Sequence, residues 1–551
     1  MTKTPLEKRQ KDLEQLRNTE FDILVIGGGI TGAGVAWDAA LRGLSVALIE
    51  KIDFGFGTSG GSSKLVHAGI RYLAYGEFGL VHTASKERKW MYKSCPHLTE
   101  PVPFIIPNYK DRKNSFLKLF FGGWMYDLLA CFKNTENHKF ISKEETVELV
   151  PKIKRENLKR SLFYYDGIMD DARVTLETIL AAQQAGAITV NYVEAIDFEV
   201  ISNNNKKTIN HIVAKNNLTD ETFTISAKMI INAAGPWTDK VLNLFSKDKP
   251  KRLSPSKGIH IITHRLIEKK VVLVVTADDD RGMFVIPFQD NYSLIGTTDT
   301  FYDGDLDHVE VTQEDVDYVI SAVNNDLPGT LTQEDIISAY SGIRPLIISS
   351  GAESETETSR DYEIFENAEN MLTITGGKYT IFRHMAEKVL NQAIKKLGFK
   401  KKNFPCVTKN AKLHGANRID DFHDYQERHL KIITAEFSLD KDIIKHLLSA
   451  YGICHTEILE LIQKDPSLAN RIAKGRPYIL AEIPYIINNE MCFTLTDFMM
   501  RRTQLQLMDN QGLDCINKIS KRMGEILNWT PLEIEHQIED YKNNLVWRKN
   551  Q

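Results

Sequence analysis

The hydrophobic pattern of residues 21–50 predicts a strand, a glycine turn, a helix and a second strand. Residues 23–26 form a short apolar run, and apolar side chains then recur at helical spacing over 33–41. A second apolar run at 46–49 ends at Glu50. Elements in this order are typical of a βαβ unit that binds a dinucleotide, in which the acidic residue accepts hydrogen bonds from a ribose diol.

The turn inside this unit has the sequence GGGITG, which satisfies the pattern G-x-G-x-x-G. Gly27 permits a tight turn, Gly29 lets the backbone approach a pyrophosphate, and Gly32 allows close packing of helix on strand. The helix that follows offers free N–H groups and a positive dipole end to the same pyrophosphate. We therefore predict cofactor contacts from these glycines and from the intervening Ile30 and Thr31.

The later pattern divides the chain into a ligand-binding region at 1–398 and a helical domain at 399–551. Short apolar runs separated by polar turns over about 253–345 predict an antiparallel sheet that covers a ligand. Lysine-rich sequence at 395–402 marks the boundary. Helices are predicted at 144–150, 171–184, 440–451, 456–464, 490–500, 514–527 and 532–544, and strands at 190–200, 209–214 and 223–231.

A second strand–glycine–helix pattern occurs hundreds of residues after the first. Residues 371–375 predict a strand and 381–396 a helix, with GGKYT between them. Backbone donors and a helix N-terminus at such a turn can bind an anionic group such as a flavin pyrimidine ring, and Lys378 would add a full positive charge. The cofactor-binding candidates of this turn are Gly376, Gly377, Lys378 and Thr380.

Two more polar stretches are candidates for the cofactor site. The loop at 55–64 is rich in glycine and hydroxyl residues, which can wrap a phosphate or an isoalloxazine edge, although such loops are also common as solvated linkers. His67 follows this loop and is either beside the cofactor or a structural histidine. The strand at 223–231 runs into small residues that let the backbone pass close to a ligand. The remaining candidates are Thr58, Ser59, Ser62, Ser63, Lys64, Leu65, Ala234 and Gly235.

Composition narrows the class of protein. The chain has 551 residues and a formal net charge of -4, which gives no reason to expect a nucleic-acid partner. Its six cysteines are scattered without a C-x-x-C pair, so we expect a reducing compartment and neither a disulfide framework nor a metal site. The charged N-terminal sequence has no apolar core of a secretory signal.

The segment at 114–132 is the most hydrophobic stretch that could contact a membrane. It is rich in aromatic residues, is interrupted by Lys118 and Asp127, and is too short and too polar to span a bilayer. A basic, aromatic amphipathic segment can lie on an anionic membrane surface. The alternative is a helix packed on the core or at a subunit contact.

Taken in order, the motifs GGGITG, TSGGSSKLVHAGIRYL, NAAGPW, KGIH, IGTTDT, SGIRPL, SRDY and GGKYT resemble those of the FAD-dependent, quinone-linked glycerol-3-phosphate dehydrogenases. The resemblance implies an α/β fold of the glutathione-reductase-like FAD/NAD(P)-binding type, with an antiparallel substrate-side sheet and an α-helical C-terminal domain. Residues 1–398 would then bind FAD and substrate. One departure is the loop TSGGSS, where Gly60 and Gly61 replace the bulkier, arginine-containing sequence usual in that family.

The resemblance also implies the chemistry. Non-covalently bound FAD would oxidise sn-glycerol 3-phosphate to dihydroxyacetone phosphate and pass the electrons to a membrane quinone. By motif position, His260 is the general base, Arg344 is both catalytic and substrate-binding, and Lys378 lies beside the flavin. The other substrate-anion contacts by motif position are Arg71, Tyr72 and Arg360. The expected setting is the cytoplasm, on the inner face of the cell membrane, with the protein a peripheral homodimer.

Three other functions remain open from the sequence. A glycerol-3-phosphate oxidase would use oxygen and release hydrogen peroxide, but such enzymes typically carry a long insertion where residues 346–359 are short. An amine or amino-acid oxidase of the same superfamily would need one carboxylate-binding arginine rather than a cluster. A non-catalytic flavin-binding scaffold would have lost the arginines or the histidine, and all are present.

Overall fold

The computed structural model describes residues 4–112, 116–203, 206–246, 251–348 and 361–547. Arg360, residues 114–115 and most of the short 346–359 stretch lie outside these ranges. The described strands are β1 (Glu20–Ile26), β2 (Val46–Ile49), β3 (Leu65–Val66), β4 (Thr99–Tyr109), β5 (Lys139–Ser142), β6 (Leu158–Met169), β7 (Ile188–Val190), β8 (Val193–Asn203), β9 (Lys206–Asn216), β10 (Thr222–Asn232), β11 (Ser256–His264), β12 (Val272–Thr276), β13 (Gly282–Phe288), β14 (Tyr292–Gly296), β15 (Thr300–Phe301), β16 (Ile336–Arg344), β17 (Tyr362–Ala368) and β18 (Met371–Gly376).

The α-helices of the described ranges alternate with these strands and then fill the C-terminal region. They are α1 (Pro5–Asn18), α2 (Ile30–Leu41), α3 (Phe78–Ser94), α4 (Phe116–Leu129), α5 (Lys143–Leu149), α6 (Asp171–Gln184), α7 (Thr238–Phe245), α8 (Gln313–Asp326), α9 (Phe382–Lys396), α10 (Phe422–Phe437), α11 (Lys441–Tyr451), α12 (His455–Lys464), α13 (Glu482–Asn489), α14 (Leu495–Asp497), α15 (Ile516–Leu527) and α16 (Pro531–Asn543). A π-helical turn, Phe498–Arg502, follows α14.

The first sheet is built around β1 and confirms the predicted strand–turn–helix–strand unit. Its strand order is β17-β18-β10-β1-β2-β7, with β8 and β9 paired beside β10. Because side chains alternate across a strand, Ile23 and Val25 enter one hydrophobic core while Leu24 and Ile26 enter another. Burial on both faces explains why this strand reads as one continuous apolar run.

The second sheet is larger than the sequence predicted. Its ten strands follow the order β15-β11-β14-β13-β12-β4-β6-β3, with β16 paired to β11 and β5 to β6. The predicted range of about 253–345 supplies only β11 to β16, and the pair β4 and β12 is parallel within an otherwise antiparallel sheet. The fold class, an α/β FAD-binding fold with a mostly antiparallel second sheet and a helical C-terminal region, is confirmed.

Two predicted elements are wrong in detail. The helix predicted at 490–500 is not continuous. Helix α13 ends at Asn489, the backbone reverses at Met491 with φ of 53°, and a separate helix begins after the N-cap Thr494. The Thr494 hydroxyl accepts from the Asp497 N–H at 3.1 Å, a capping box that begins a separate helix. The strand predicted at 190–200 is split into β7 and β8 at Tyr192, whose φ is 56°.

The domain boundary at 398/399 stays a prediction. Within the described ranges, no helix has the length and apolar character needed to cross a bilayer.

Candidate active site

A cavity of about 580 Å³ opens where the carboxyl ends of β1, β2, β10 and β18 meet the second sheet. Ligands of open α/β sheets bind at this edge. The predicted site residues that line it are Gly27, Gly29, Ile30, Thr31, Glu50, Thr58, Ser59, Ser62, Ser63, Leu65, His67, Tyr72, Ala234, Gly235, His260, Arg344, Gly376, Gly377, Lys378 and Thr380. Gly32, Lys64 and Arg71 are described but do not line the cavity, and Arg360 lies outside the described residues.

The glycine turn after β1 leaves no room for a side chain at Gly27 or Gly32. Gly27 has φ of +111°, and a Cβ there would lie 2.7 Å from the Ala233 carbonyl oxygen. A Cβ on Gly32 would lie 1.9 Å from the Gly27 carbonyl oxygen, so Gly32 acts by close packing beneath the cavity rather than in its wall. The Ser59 hydroxyl accepts from the Ile30 N–H at 2.9 Å and thereby ties the second loop to the start of α2.

Glu50 closes the same end of the cavity. Its carboxylate accepts from the Gly28 N–H at 2.7 Å and the Ile52 N–H at 3.0 Å. Burial raises the pKa of the Glu50 carboxyl, and the two backbone donors oppose that shift. The carboxylate is thus held in the cavity wall, where it can accept hydrogen bonds from a ribose diol as the sequence predicted.

The loop at 55–64 is held firmly and is not a solvated linker. The Thr58 hydroxyl donates to the Ile343 carbonyl oxygen, and the Ser62 hydroxyl donates to Asp171 at 2.7 Å. The Lys64 ammonium pairs with the same buried carboxylate at 2.5 Å, which turns it away from the cavity. Lys64 therefore fixes the loop, whereas the sequence pattern had placed it against the cofactor.

His260 lines the cavity from β11, a strand of the second sheet. Its Nε2 is 2.8 Å from the Ser63 hydroxyl, and its ring stacks on Tyr340 at 4.8 Å between centroids. Its Nδ1 is buried and has no hydrogen-bond partner among the described residues. Burial lowers the pKa of the His260 imidazole well below its usual range, and the positive charges of Arg344 and Lys64 lower it further. The imidazole is therefore neutral at physiological pH.

Arg344 is the last residue of β16, and the residues that follow β14 hold its guanidinium. Its guanidinium donates to Asp299 at 3.1 Å and to the Thr297 hydroxyl and Thr298 carbonyl at 3.1 Å each. A Cβ on Gly258 would lie 2.5 Å from the Arg344 Nη2, so only glycine leaves space for this side chain. Asp299 and Gly258 were missed as site residues, although both lie in the quoted motifs IGTTDT and KGIH.

Lys378 places its charge against an aromatic ring beside the cavity. Its Nζ lies 3.1 Å from the centroid of the Tyr72 ring, a cation–π contact. Burial lowers the pKa of the neighbouring His67 imidazole to about 4; the Asp166 carboxylate opposes this shift and the Lys378 ammonium adds to it. Arg71 is exposed, with its guanidinium 5.9 Å from the Tyr72 centroid on the outside of the cavity.

The cavity wall contains groups of both signs. Glu50 and the glycine turn suit a ribose and a pyrophosphate, and Lys378, Arg344 and a neutral histidine line the same cavity. The glycine cradle and the carboxylate fit the adenosine half of FAD, and the GGKYT turn fits an electron-rich ring. Within the described ranges, no three His, Cys, Asp or Glu side chains gather as a metal site.

Comparison with known proteins agrees with this geometry. Residues 22–378 match the family described as FAD dependent oxidoreductase, and residues 406–534 match the C-terminal domain of alpha-glycerophosphate oxidase. An aerobic glycerol-3-phosphate dehydrogenase of Staphylococcus aureus is 36% identical over 97% of this chain and 96% of its own length. The glycerol-3-phosphate dehydrogenase of Bacillus halodurans, solved with FAD, is 30% identical with a TM-score of 0.81 and covers 99% of both chains.

More distant structures share the fold alone. The L-alpha-glycerophosphate oxidase of Mycoplasma pneumoniae is 19% identical, with a TM-score of 0.54 over 69% of this chain and 96% of that one. The glycine oxidase of Geobacillus kaustophilus has a TM-score of 0.52, also at 19% identity, over 70% of this chain and 98% of that one.

Fold, cavity and family match together define an FAD-dependent oxidoreductase, with FAD as its cofactor. Similarity over nearly the whole length narrows the class further: the chain belongs to the FAD-dependent glycerol-3-phosphate dehydrogenase family.

Proposed function

We propose that this protein oxidises sn-glycerol 3-phosphate to dihydroxyacetone phosphate. The observation that carries the proposal is that Arg344, Lys378 and a neutral His260 line the same cavity as Glu50 and the glycine turn, with Arg344 close enough to His260 to lower its pKa. A phosphate dianion needs cations, and the C2 hydroxyl needs a base to take its proton. The names of the relatives, glycerol-3-phosphate dehydrogenases of two bacteria, support the same substrate.

The proposed roles follow from the geometry of each side chain. Arg344 is oriented by Asp299 and binds the substrate anion. Tyr72, which lines the cavity, Arg71, which does not, and Arg360, which lies outside the described residues, stay predicted contacts from the sequence motifs. His260 takes the C2 hydroxyl proton, because a neutral imidazole can act as a base while an imidazolium cannot. Bound FAD supplies the hydride acceptor. Lys378 contributes positive charge where negative charge develops on reduction.

Anaerobic reduction of the bound flavin tests this substrate. Addition of sn-glycerol 3-phosphate to the holoprotein is expected to bleach the flavin absorbance near about 450 nm. Glycerol, which lacks the phosphate, is the matched control, and sarcosine and D-alanine represent the amine and amino-acid oxidase alternative. Bleaching by those amines, or none by glycerol 3-phosphate, would reject the proposal, and a non-catalytic scaffold would respond to none of the four.

We propose a membrane quinone as the electron acceptor. The short 346–359 stretch and the name of the staphylococcal relative support a dehydrogenase rather than an oxidase. Stopped-flow mixing of the reduced protein with a soluble quinone should reoxidise the flavin faster than air-saturated buffer does. Rapid oxygen uptake with stoichiometric hydrogen peroxide would instead make the protein an oxidase.

We further propose that the protein works in the cytoplasm while bound to the inner face of the cell membrane through α4. One side of this helix packs inward through Tyr126 and Asp127, and the other presents large apolar side chains. This α4 surface consists of Leu117, Phe120, Phe121, Trp124 and Leu128, which are 36–66% exposed. Aromatic and aliphatic side chains on one face suit the interfacial zone of a bilayer.

The expected homodimer is a separate proposal, which sedimentation velocity would test.

A further inference from the structure

The loop that leaves β2 beside the FAD cavity carries a buried carboxylate, Asp53, that is bound by the C-terminal region. Asp53 Oδ2 accepts from Arg501 Nε at 2.6 Å and from Arg502 Nη1 at 2.7 Å. Its Oδ1 accepts from Arg502 Nη2 at 2.9 Å and from the Asn191 amide at 2.9 Å. All the lone-pair directions of the carboxylate are therefore used by fixed donors.

The two arginines are themselves fixed on the C-terminal side. Arg501 Nη2 pairs with Asp497 at 2.6 Å, and Arg502 donates to the Glu490 carbonyl oxygen at 2.8 Å. Tyr192, which follows β7, donates its hydroxyl to Asp497 at 2.6 Å and joins the network from the other side. Burial alone would raise the pKa of the Asp53 carboxyl, but Arg502 and Arg501 lower it well below its usual range. The carboxylate is thus ionised and paired.

Asp53 lies between two contacts that shape the dinucleotide turn. Before it, Glu50 accepts from the Gly28 N–H at 2.7 Å. After it, Gly55 donates its N–H to the Gly28 carbonyl oxygen at 3.1 Å. The Phe54 ring packs on Gly28 so closely that a Cβ on Gly28 would lie 2.7 Å from the ring. Both backbone groups of Gly28 are therefore held by this loop. A shift of Asp53 would move the Glu50 carboxylate and the glycine turn together.

The described residues that line the FAD cavity end at Thr380, so the C-terminal region acts on the cofactor indirectly, and the Asp53 network is a connection that reaches the dinucleotide turn. We propose that Arg501 and Arg502 are positioning residues for the adenosine half of FAD. By holding Asp53, they keep Glu50 and the glycine turn in the geometry that binds the ribose and pyrophosphate. The helical C-terminal region is then part of the mechanism that retains the cofactor.

A conservative variant separates this role from general stabilisation. R502K keeps the buried positive charge but loses the bidentate contact with Asp53, so FAD should leave the holoprotein about tenfold faster, the equivalent of one charge-assisted hydrogen bond. ADP, which carries only the adenosine end, should bind the FAD-free protein about tenfold more weakly. Flavin fluorescence measures the release, and titration calorimetry measures ADP binding.

The matched control is R476K. Arg476 is also a buried arginine of the C-terminal region, but it pairs with Asp514 at 3.0 Å and does not touch the loop at 50–55. Both variants are expected to lower the melting temperature of the FAD-free protein, while only R502K weakens ADP binding. The proposal is overturned if R502K binds ADP as tightly as the parent, or if R476K weakens ADP binding equally.

The parent protein offers a measurement that needs no folded variant. Coupling is reciprocal, so ADP bound at the Glu50 end must stabilise the arginine network. Hydrogen–deuterium exchange of the full-length, FAD-free protein should slow over residues 490–503 when ADP is added, although ADP does not reach them. Exchange in α15 (Ile516–Leu527), which lies outside the network, should stay unchanged. Equal exchange at 490–503 with and without ADP would reject the proposal.

Discussion

Arg344 shows how one residue is prepared for a negatively charged substrate. Asp299 and the Thr297 and Thr298 oxygens hold its guanidinium, and Gly258 leaves it the space that a side chain would take. The Arg344 side chain lines the cavity and is 23% exposed, so a ligand can reach it there. The orientation is therefore set before substrate arrives, which lowers the entropic cost of binding.

Replacement of Arg344 should impair substrate use without loss of FAD. R344A is expected to lower kcat/KM for glycerol 3-phosphate by about 100-fold or more, because charge-assisted hydrogen bonds to the substrate anion are lost. R281A is the matched control, since Arg281 donates to the Asp299 carbonyl oxygen at 2.7 Å but does not line the cavity. Steady-state kinetics and the flavin-to-protein absorbance ratio report both quantities. FAD loss in R344A would contradict the substrate role.

Gly32 provides a residue-scale prediction about folding. A Cβ at this position would meet the Gly27 carbonyl oxygen at 1.9 Å, so G32A must displace α2 from β1. Overpacking of this kind typically costs about 1–3 kcal/mol, and the displaced turn should also hold FAD more weakly. G79A, in helix α3, has nothing within 4 Å of the added methyl and should be neutral or slightly stabilising. Urea unfolding and FAD content of the two variants check this contrast.

At the scale of elements, local patterns were predictable and long-range partners were not. The unit from β1 to β2 was predicted because strand burial, glycine turn and helix follow one another within 30 residues or so. The pairing of the Lys64 side chain could not be predicted, because its partner Asp171 comes from α6, far along the chain. The helix predicted at 490–500 failed because helical periodicity alone does not reveal the reversal at Met491.

The second sheet and the position of Arg344 illustrate the same limit. β4 and β6 join the predicted strands only through pairing across a large sequence distance, including the parallel contact of β4 with β12. Short apolar runs do not identify their partners. The motifs brought His260 and Arg344 to attention, whereas the support from Asp299 and Gly258 required the three-dimensional arrangement.

Helix α4 carries the prediction that belongs to a single element. The triple variant L117S/F121S/W124S removes side chains that are 63%, 66% and 51% exposed, so it should leave the fold intact. Loss of this apolar area should weaken binding to anionic liposomes at least about tenfold in a flotation experiment. L532S, which removes an equally exposed leucine (61%) from α16, is the control and should bind as the parent does.

The test replaces apolar residues of α4 rather than the basic residues before it, because at least one of those, Arg112, also stabilises the fold. Arg112 pairs with Asp326 at 2.8 Å and lies over the Tyr109 ring, so its charge reversal would disturb the second sheet as well as any lipid contact. Equal flotation of the triple variant and the parent would favour the other alternative, a helix packed on the core or at a subunit contact.

At the scale of the whole molecule, buried neutral histidines make stability depend on pH. The folded-state pKa is lowered mainly by burial for each of five histidines: His67, to about 4, and His260, His384, His414 and His455. In the unfolded chain a histidine titrates near 6.5. The unfolded state therefore binds more protons as pH falls below about 6.5, and the folded state is progressively disfavoured.

We accordingly expect constant stability between about pH 7 and 8 and a steady loss below about pH 6.5. Each histidine that stays neutral in the folded state contributes up to about 1.4 kcal/mol per pH unit to the slope. Asp53 and Glu177, whose pKa values are lowered, destabilise the folded state only as pH falls through about 4. Glu50, Asp171 and Glu490, whose pKa values are raised by burial, act in the opposite direction and reduce the loss at the acid end of the range. The urea midpoint of the FAD-saturated protein, measured at half-unit intervals from pH 5 to 8, gives the profile.

Single substitutions identify which groups produce the slope. His455 is 1% exposed and does not line the FAD cavity, and burial lowers its pKa, so H455Q should reduce the pH dependence of stability between about 6.5 and 5. H423Q, which removes a histidine whose side chain is 82% exposed, is the matched control. A flat profile down to pH 5 in the parent would mean that these histidines gain protons in the folded state, and the neutral His260 on which the proposed base depends would then be in doubt.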